Sequence, residues 1–287
     1  MSSQHYRNLI NGFTSSSSPE FLFVCGAISQ YLGAALAYSL FDRVGTSLVA
    51  TLRVIGAAIF IIALRQSWKR SRQELDLVWT SLFGIVLACM NLCFYLAINN
   101  LPLGNAVAIE FIGPITIAAI GNRSCANIAS LFSASLGVFL LAQVTAEGTL
   151  VGVLLAISAG GLWGLYIVLG SRVARSGAHL DGLGVGMLIG GLMIAPIGIS
   201  SIGKAVHSPW LILVALSTGI LGNVIPYGID QVVLRRISKT RFAFLQSLLP
   251  ATAACVGFVA LQQKASVGEA IGIGLIIFAI LFRGKED

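Results

Sequence analysis

Long apolar stretches separated by short polar segments run along the whole chain. Ten can be marked, near 20–41, 46–64, 77–98, 103–121, 127–146, 149–171, 182–201, 209–230, 241–261 and 266–283. A helix needs about 20 apolar residues to cross a bilayer, and most of these stretches approach that length. Several are short or interrupted by glycine, which leaves a count of nine open. The pattern predicts an all-α integral membrane protein with about ten transmembrane helices in one bundle.

The Lys and Arg residues predict how the helices are oriented. If the N-terminus is inside, fourteen of the eighteen lie on the cytoplasmic side, three lie on the other side, and Arg53 lies within a helix. Cytoplasmic loops of membrane proteins carry such an excess of Lys and Arg. We therefore expect residues 1–19 to form a polar cytoplasmic tail and both termini to be cytoplasmic.

Weak internal similarity relates the two halves of the chain. The matches are collinear, with offsets of 129 to 136 residues: Ile28-Ser29 with Ile157-Ser158, Trp79 with Trp210, Asn91 with Asn223, Tyr95 with Tyr227, Glu110 with Gln246 and Pro114 with Pro250. Five helices in each half require opposite insertion, because five is an odd number. The sequence thus predicts two inverted repeats, at 20–146 and 149–283, a plan found in many secondary transporters.

The composition excludes several classes of protein. Charged residues make up 10% of the chain and hydrophobic residues 56%, with a mean hydropathy of +0.90, whereas soluble domains contain about 25% charged residues. The net charge of +7 lies in loop clusters, so we expect no nucleic-acid partner. His5, His179 and His207 fall outside the apolar stretches, and no nucleophile or metal-ligand set accompanies them. We expect no enzyme activity, no cofactor and no metal.

Glu110 and Arg53 are the charged residues inside apolar stretches. A charge at the bilayer centre costs at least about 2.5–3.5 kcal/mol, so such residues usually face the protein interior or a water-filled cavity. A carboxyl group there can bind and release a proton near neutral pH. Arg53 is a candidate counter-charge for Glu110 or for a substrate carboxylate, and snorkelling to the interface is its structural alternative. Pro114, four residues after Glu110, removes a helix hydrogen bond to the Glu110 carbonyl.

A second tier of candidates is uncharged. These side chains are candidates to line a substrate cavity, although bonding to neighbouring helices is the common structural role of such residues. They are Gln30, Asn91, Tyr95, Trp163, Tyr166, Asn223, Tyr227 and Gln246. Pro226 and Pro250 are expected to break their helices as Pro114 does.

Three runs in the middle of the chain resemble a known transporter group. They read Asn91-Leu-Cys-Phe-Tyr-Leu-Ala-Ile98, Leu101-Pro-Leu-Gly104 and Ala106-Val-Ala-Ile-Glu-Phe-Ile-Gly-Pro114. Two more runs, Val224-Ile-Pro-Tyr227 and Leu234-Arg-Arg236, and the spacing of Trp163, Tyr166 and Arg172 agree. From about residue 25 to 282 the chain resembles the EamA-type drug/metabolite transporter superfamily, most closely its threonine/homoserine exporter branch.

The resemblance implies a ten-helix inverted repeat in the bacterial inner membrane that exports amino acids or related metabolites in exchange for protons. One departure concerns the substrate, because Gln246 and Gln262-Gln-Lys264 replace acidic positions usual in relatives. An exporter of drugs or nucleoside-type metabolites is the alternative within transporters, and a non-transporting scaffold or sensor is the alternative outside them. The expected partners are a small-molecule substrate, protons and the lipid bilayer, and a homodimer is left open.

Overall fold

The computed structural model describes residues 17–69, 75–101, 103–120, 124–142, 148–176, 179–199, 209–252 and 267–282. This part of the chain is almost entirely helical and contains no strand. Its α-helices are α1 Pro19–Tyr38, α2 Phe41–Val44, α3 Thr46–Arg65, α4 Leu77–Ile98, α5 Leu103–Glu110, α6 Ile112–Ile120, α7 Cys125–Ala142, α8 Leu150–Ala174, α9 His179–Ile199, α10 Pro209–Gly219, α11 Ile225–Arg236, α12 Lys239–Leu245 and α13 Val267–Phe282. A 3-10 turn, Ser67–Lys69, follows α3, and a π-helical segment, Ile220–Val224, joins α10 to α11.

Six of the described helices are long and apolar enough to cross a membrane. They span 19–38, 46–65, 77–98, 150–174, 180–199 and 209–236, and shorter apolar helices cover 105–120, 125–141 and 270–282. The predicted stretch at 241–261 is described only as far as Thr252, and Gln262 and Lys264 lie outside the described residues, as does most of the predicted tail at 1–19. The helical class is confirmed, and the count of ten inverted helices stays a prediction.

Polar residues mark the helix starts, because the first N–H groups of a helix have no partner within it. The side chains of Ser18, Asp76, Thr149 and Ser238 each accept a hydrogen bond from a backbone N–H in the first turn of the helix that follows. The N-cap residue of α3 is Gly45, whose φ of 92° favours glycine. These caps fix where the apolar stretches become helical.

Three of the long apolar segments are discontinuous. The predicted helix at 103–121 divides into α5 and α6 at Phe111, three residues before Pro114. The segment containing Pro250 has a non-helical turn at 246–247 and is helical again from 248. In the third discontinuous segment, 209–236, the helix is widened by the π-helical segment just before Pro226. Proline and π-helical segments are the usual causes of such breaks, because each removes regular backbone hydrogen bonds.

Glycines allow several helix pairs to approach to backbone contact. A Cβ atom added to Gly84 of α4 would collide with the backbone of Gly186 in α9, and one added to Gly190 would collide with the backbone of Gly84. Gly137 of α7 and Gly272 of α13 face each other in the same way. The helix pairs α3–α9, α4–α8 and α1–α11 also pack closely. Small residues at such crossings are typical of membrane helices, where van der Waals packing drives association.

The outer surface of the bundle is strongly apolar. Phe132 of α7 is 71% exposed, Leu281 of α13 is 72% exposed, and Leu192 of α9 is 59% exposed. Many other large apolar side chains on the outward faces of α1, α3 and α8 are exposed as well. A continuous apolar exterior of this extent is suited to lipid rather than to water.

Candidate substrate-binding site

Arg53 of α3 lies at the centre of a polar cluster inside the bundle. It is 2% exposed, so its side chain is enclosed by the surrounding helices. Its guanidinium donates hydrogen bonds to the Tyr95 hydroxyl, to Oδ1 of Asn223 at 3.1 Å and to the Gly33 carbonyl at 3.5 Å. It also lies over the Tyr95 ring, with Cζ 5.2 Å from the ring centroid. Helices α1, α3, α4 and the π-helical segment therefore meet at this one cation.

The π-helical segment places Asn223 and creates the space for the guanidinium. A Cβ atom added to Gly222 would overlap the terminal nitrogen of Arg53, so the arginine occupies the volume that any other residue at position 222 would fill. The Leu221 carbonyl accepts a hydrogen bond of 2.7 Å from Ser29 of α1. Single π-helical turns in α-helices are frequent at functional sites.

Arg53 has hydrogen-bonding capacity that the described residues do not use. Its Nε and the Nδ2 of Asn223 are buried N–H donors without an acceptor among the described residues. No carboxylate forms an ion pair with Arg53 in the described part of the chain. A buried charge without a counter-ion costs several kcal/mol. The site is therefore electrostatically suited to an anionic group such as a carboxylate.

A second hydrogen-bonded pair lies next to Arg53. Asn91 of α4 donates to the Tyr227 hydroxyl of α11 at 2.9 Å and to the Leu87 carbonyl at 2.9 Å. The charge of Arg53 acts on Tyr95 and on Tyr227. The structure thus brings together five of the predicted site residues, Arg53, Asn91, Tyr95, Asn223 and Tyr227, from positions that are up to 174 residues apart in the sequence.

Glu110 lies at the end of α5, beside this cluster but apart from Arg53. Its side chain is 9% exposed, and it forms neither an ion pair nor a hydrogen bond with another described residue. Its charge acts on the Tyr31 and Tyr95 hydroxyls and on the Cys93 thiol. Of the two counter-charge roles proposed for Arg53, pairing with Glu110 is not observed. Tyr95, which bonds Arg53, is also near enough to Glu110 to be affected by its charge.

Helix α8 holds the break after Glu110 in place. Gly160 of α8 touches the Glu110 backbone, and Gly113 of α6 meets the backbone of Gly160 and Gly164. Trp163 of α8 packs edge to face on Phe111, with ring centroids 6.2 Å apart. Trp163 is therefore a neighbour of the break.

The remaining predicted residues do not bond Arg53, although Tyr166 adjoins the cluster, with its ring centroid 5.5 Å from that of Tyr227. Gln30 is half-buried on α1, and Gln246 is 2% exposed in the turn that follows α12. Tyr166 is fully buried on α8, where its hydroxyl donates to Oδ2 of Asp230 at 2.7 Å. Neither Gln30 nor Gln246 is hydrogen-bonded through its side chain to Arg53.

Three residues near the site were missed by sequence reasoning. Tyr31 is near enough to Glu110 to be affected by its charge. Asp230 and Gln231 are buried because α11 continues to Arg236 rather than ending near residue 230. The signal was available, since Asp230 follows Tyr227 by three residues and therefore shares its face of a helix. It was overlooked because polar residues at helix ends are ordinary.

Comparison with known proteins shows to which protein family the chain belongs. The model of the EamA-like transporter family matches residues 150–283. The threonine/homoserine exporter RhtA of Escherichia coli (strain K12) is 33% identical over 253 residues, covering 86% of this chain and 84% of the relative. RhtA of Salmonella typhimurium (strain LT2) is 32% identical over the same coverage. The chain belongs to the EamA-like transporter family. It is a multi-pass membrane transporter of the RhtA-like type, and not an enzyme.

A solved crystal structure supports the fold. It superposes with a TM-score of 0.73 and 22% sequence identity, and covers 92% of this chain and 98% of that chain. This likeness concerns the fold alone. For a member of the EamA-like family, a cluster of buried polar groups between helices is where a substrate is expected to bind. Here that cluster is centred on Arg53, with Glu110 beside it.

Arg53 and Glu110 are suited to different groups of a substrate. The Arg53 Nε and Asn223 Nδ2 groups offer N–H donors to an anionic group such as a carboxylate. The Glu110 carboxyl can hold either a proton or a cationic group such as an ammonium. The Tyr31 and Tyr95 hydroxyls, on which the Glu110 charge acts, are uncharged and can both donate and accept hydrogen bonds.

Proposed function

We propose that this chain is a proton-coupled exporter of threonine- and homoserine-like amino acids in the bacterial inner membrane. The observation that carries the proposal is the buried Arg53, which has unused N–H donors and no carboxylate partner among the described residues. The RhtA relatives, which are named as threonine/homoserine exporters, support this substrate class. An amino acid supplies the carboxylate that Arg53 lacks, and its ammonium group can replace the proton on Glu110.

In the proposed mechanism, substrate and proton compete for Glu110. The substrate carboxylate binds Arg53 and Asn223, while its ammonium binds the ionised Glu110 carboxyl. After release on the far side, a proton neutralises Glu110, so that the carboxyl returns without substrate. This exchange needs the break after Glu110, because α5 and α6 can then tilt separately.

We further propose that the fold is a ten-helix inverted repeat. Two similar breaks support it, one between Glu110 and Pro114 and the other between Gln246 and Pro250. The helix packing supports it as well, since α1 packs on α11 much as α8 packs on α4. With the Lys and Arg distribution, this plan places both termini in the cytoplasm.

The test is counterflow in liposomes that contain the purified protein. The liposomes are loaded with unlabelled threonine, homoserine or another small amino acid, and uptake of the labelled compound is followed with and without an imposed pH gradient. We expect threonine or homoserine to exchange and the pH gradient to stimulate the exchange. Glu110→Gln should remove the stimulation, whereas Asp42→Asn, which changes an exposed carboxylate on α2, should retain it.

Two results would contradict the proposal. Full gradient-dependent exchange by Glu110→Gln would show that Glu110 does not carry the proton. Absence of exchange for the entire amino-acid panel, from protein that remains folded and inserted, would assign a different substrate class to the same site.

A further inference from the structure

Asp230 is a buried carboxyl group that the proposed mechanism does not use and that, unlike Asp181, forms no ion pair with a described residue. It lies on α11, is 9% exposed, and accepts a hydrogen bond of 2.7 Å from Tyr166 at Oδ2. Its other oxygen, Oδ1, accepts no hydrogen bond from a described residue, and no described Lys or Arg forms an ion pair with it. Carboxyl groups at membrane depth are rare and are usually functional.

Asp230 is connected to the Arg53 site along one face of a helix. Asn223, Tyr227 and Asp230 are four and three residues apart, which places them on the same side of the helical segment. Asn223 bonds Arg53 at one end of this face, and Tyr166 bonds Asp230 at the other. Tyr227 lies between them, and both charges act on it.

The surroundings of Asp230 are polar, and no described Lys or Arg side chain is ion-paired with it. The titratable groups on which its charge acts are Tyr166 of α8 and Tyr227 of its own helix. Helix α4 contributes Phe83, stacked on Tyr166 at 5.4 Å, and Asn91, which bonds Tyr227. The adjacent Gln231 is fully buried, and neither atom of its amide is bonded to a described residue. Asp230 therefore has a hydrogen-bond donor beside it but no described cation that would hold it ionised.

In the second half of the chain, the position that matches Glu110 is occupied by an uncharged residue. Gln246 stands there, 2% exposed and unable to titrate. Residues 209–252 contain one carboxyl side chain, that of Asp230, and it is buried within the bundle. It can take up a proton at Oδ1 while Tyr166 continues to donate to Oδ2, because a hydroxyl can bond either a carboxylate or a neutral acid.

We propose that Asp230 binds a second proton in each transport cycle, so that two protons are exchanged for each substrate molecule, one at Glu110 and one at Asp230. This inference rests on the proposed function. In each cycle one proton adds to Asp230 Oδ1 from the solution on one side and leaves to the solution on the other. No other bond is formed or broken. Glu110 exchanges its proton for substrate, whereas Asp230 remains free of substrate.

The number of protons can be measured from the substrate gradient at which net flux stops. Liposomes are clamped at zero membrane potential with potassium and valinomycin, and a pH difference of about one unit is imposed. One coupled proton then supports an accumulation of about tenfold, and two support about 100-fold, because a tenfold ratio is worth about 1.4 kcal/mol. We expect about 100-fold for the wild type, about tenfold for Asp230→Asn, and about 100-fold for Asp42→Asn.

The outcomes separate this inference from the proposed function. A ratio of about tenfold for the wild type overturns the role of Asp230 and leaves single-proton coupling at Glu110 intact. A ratio of about 100-fold for folded Asp230→Asn also overturns it. No gradient-driven accumulation by the wild type overturns the proposed function and this inference together.

Protonation of Asp230 can also be tested without replacing Asp230, so that this test does not require an Asp230 variant to fold. Infrared difference spectra between high and low pH report the C=O stretch of carboxyl groups that become protonated. In Tyr166→Phe the hydrogen bond to Oδ2 is lost, so one of these bands should move to higher frequency. Identical bands in the wild type and in Tyr166→Phe would contradict protonation of Asp230.

Discussion

The guanidinium of Arg53 is held by the Oδ1 atom of Asn223 at 3.1 Å, although the two residues are 170 positions apart in the sequence. This bond joins α3 to the π-helical segment and leaves the Asn223 Nδ2 group, like Arg53 Nε, without an acceptor in the described chain. A neutral amide positions the arginine without neutralising it. The positive charge consequently remains available for a substrate anion.

Asn223→Asp should therefore weaken substrate binding while leaving the protein folded. The new carboxylate would pair with Arg53 and occupy the charge that we assign to the substrate, and charge-assisted hydrogen bonds to Arg contribute about 1.5–3 kcal/mol. We expect the apparent KM for threonine to rise at least about tenfold. Thermal unfolding should occur at the same temperature as in the wild type or higher. An unchanged KM would contradict the carboxylate role of Arg53.

Gly222→Ala should displace the guanidinium. The added Cβ atom would overlap the terminal nitrogen of Arg53, so that the bonds to Tyr95 and Asn223 cannot both persist. We expect transport to fall by about tenfold or more, as for a loss of one or two charged hydrogen bonds. Gly228→Ala on the same helix is the matched control, because nothing lies within 4 Å of its added Cβ. Equal transport rates for the two variants would argue against this assignment.

Gly160→Ala should disturb the break after Glu110. Its added Cβ would lie 2.7 Å from the Glu110 carbonyl oxygen, and overpacking of this kind costs about 1–3 kcal/mol. We expect a lower unfolding temperature and slower transport. Gly161→Ala has no atom within 4 Å of its added Cβ and should be neutral in both assays. A destabilised Gly161→Ala with a stable Gly160→Ala would reverse the expected order.

The ion pair of Arg65 and Asp181 should contribute more to stability than the pair of Arg241 and Glu20. Asp181 is fully buried and also accepts a hydrogen bond of 2.6 Å from Ser67, whereas both side chains of the second pair are about one-third exposed. Asp181→Asn should cost about 1–3 kcal/mol, and Glu20→Gln less than about 1 kcal/mol. Thermal unfolding of the two variants in detergent tests the order, and equal losses would count against it.

The sequence was sufficient to predict the helical class and to identify Arg53 and Glu110 as charged residues inside apolar stretches. Apolar stretches of membrane length can form little else, because backbone polar groups must be bonded internally in lipid. Glu110 and Arg53 were recognisable because a charge inside such a stretch is exceptional. The side of the helix that each charge faces was not recognisable, and for that reason an ion pair between them was a reasonable expectation that the structure does not bear out.

The rest of the site depends on details that periodicity does not encode. The π-helical segment shifts Gly222 and Asn223 toward Arg53, and no composition signal marks such a segment. Asp181 and Asp230 lie near the ends of predicted helices, where solvated carboxylates are common. Their burial results from the packing of α9 and α11 against neighbouring helices, which is a property of the assembled bundle.

The most direct test of the central claim is proton release on substrate binding. Purified protein in weakly buffered detergent solution near neutral pH is mixed with threonine, and a pH indicator counts the protons. The account predicts release of at least one proton for each bound substrate in the wild type, and one proton fewer in Glu110→Gln. Saturable threonine binding without proton release by the wild type, or equal release by Glu110→Gln, would contradict competition between substrate and proton at Glu110.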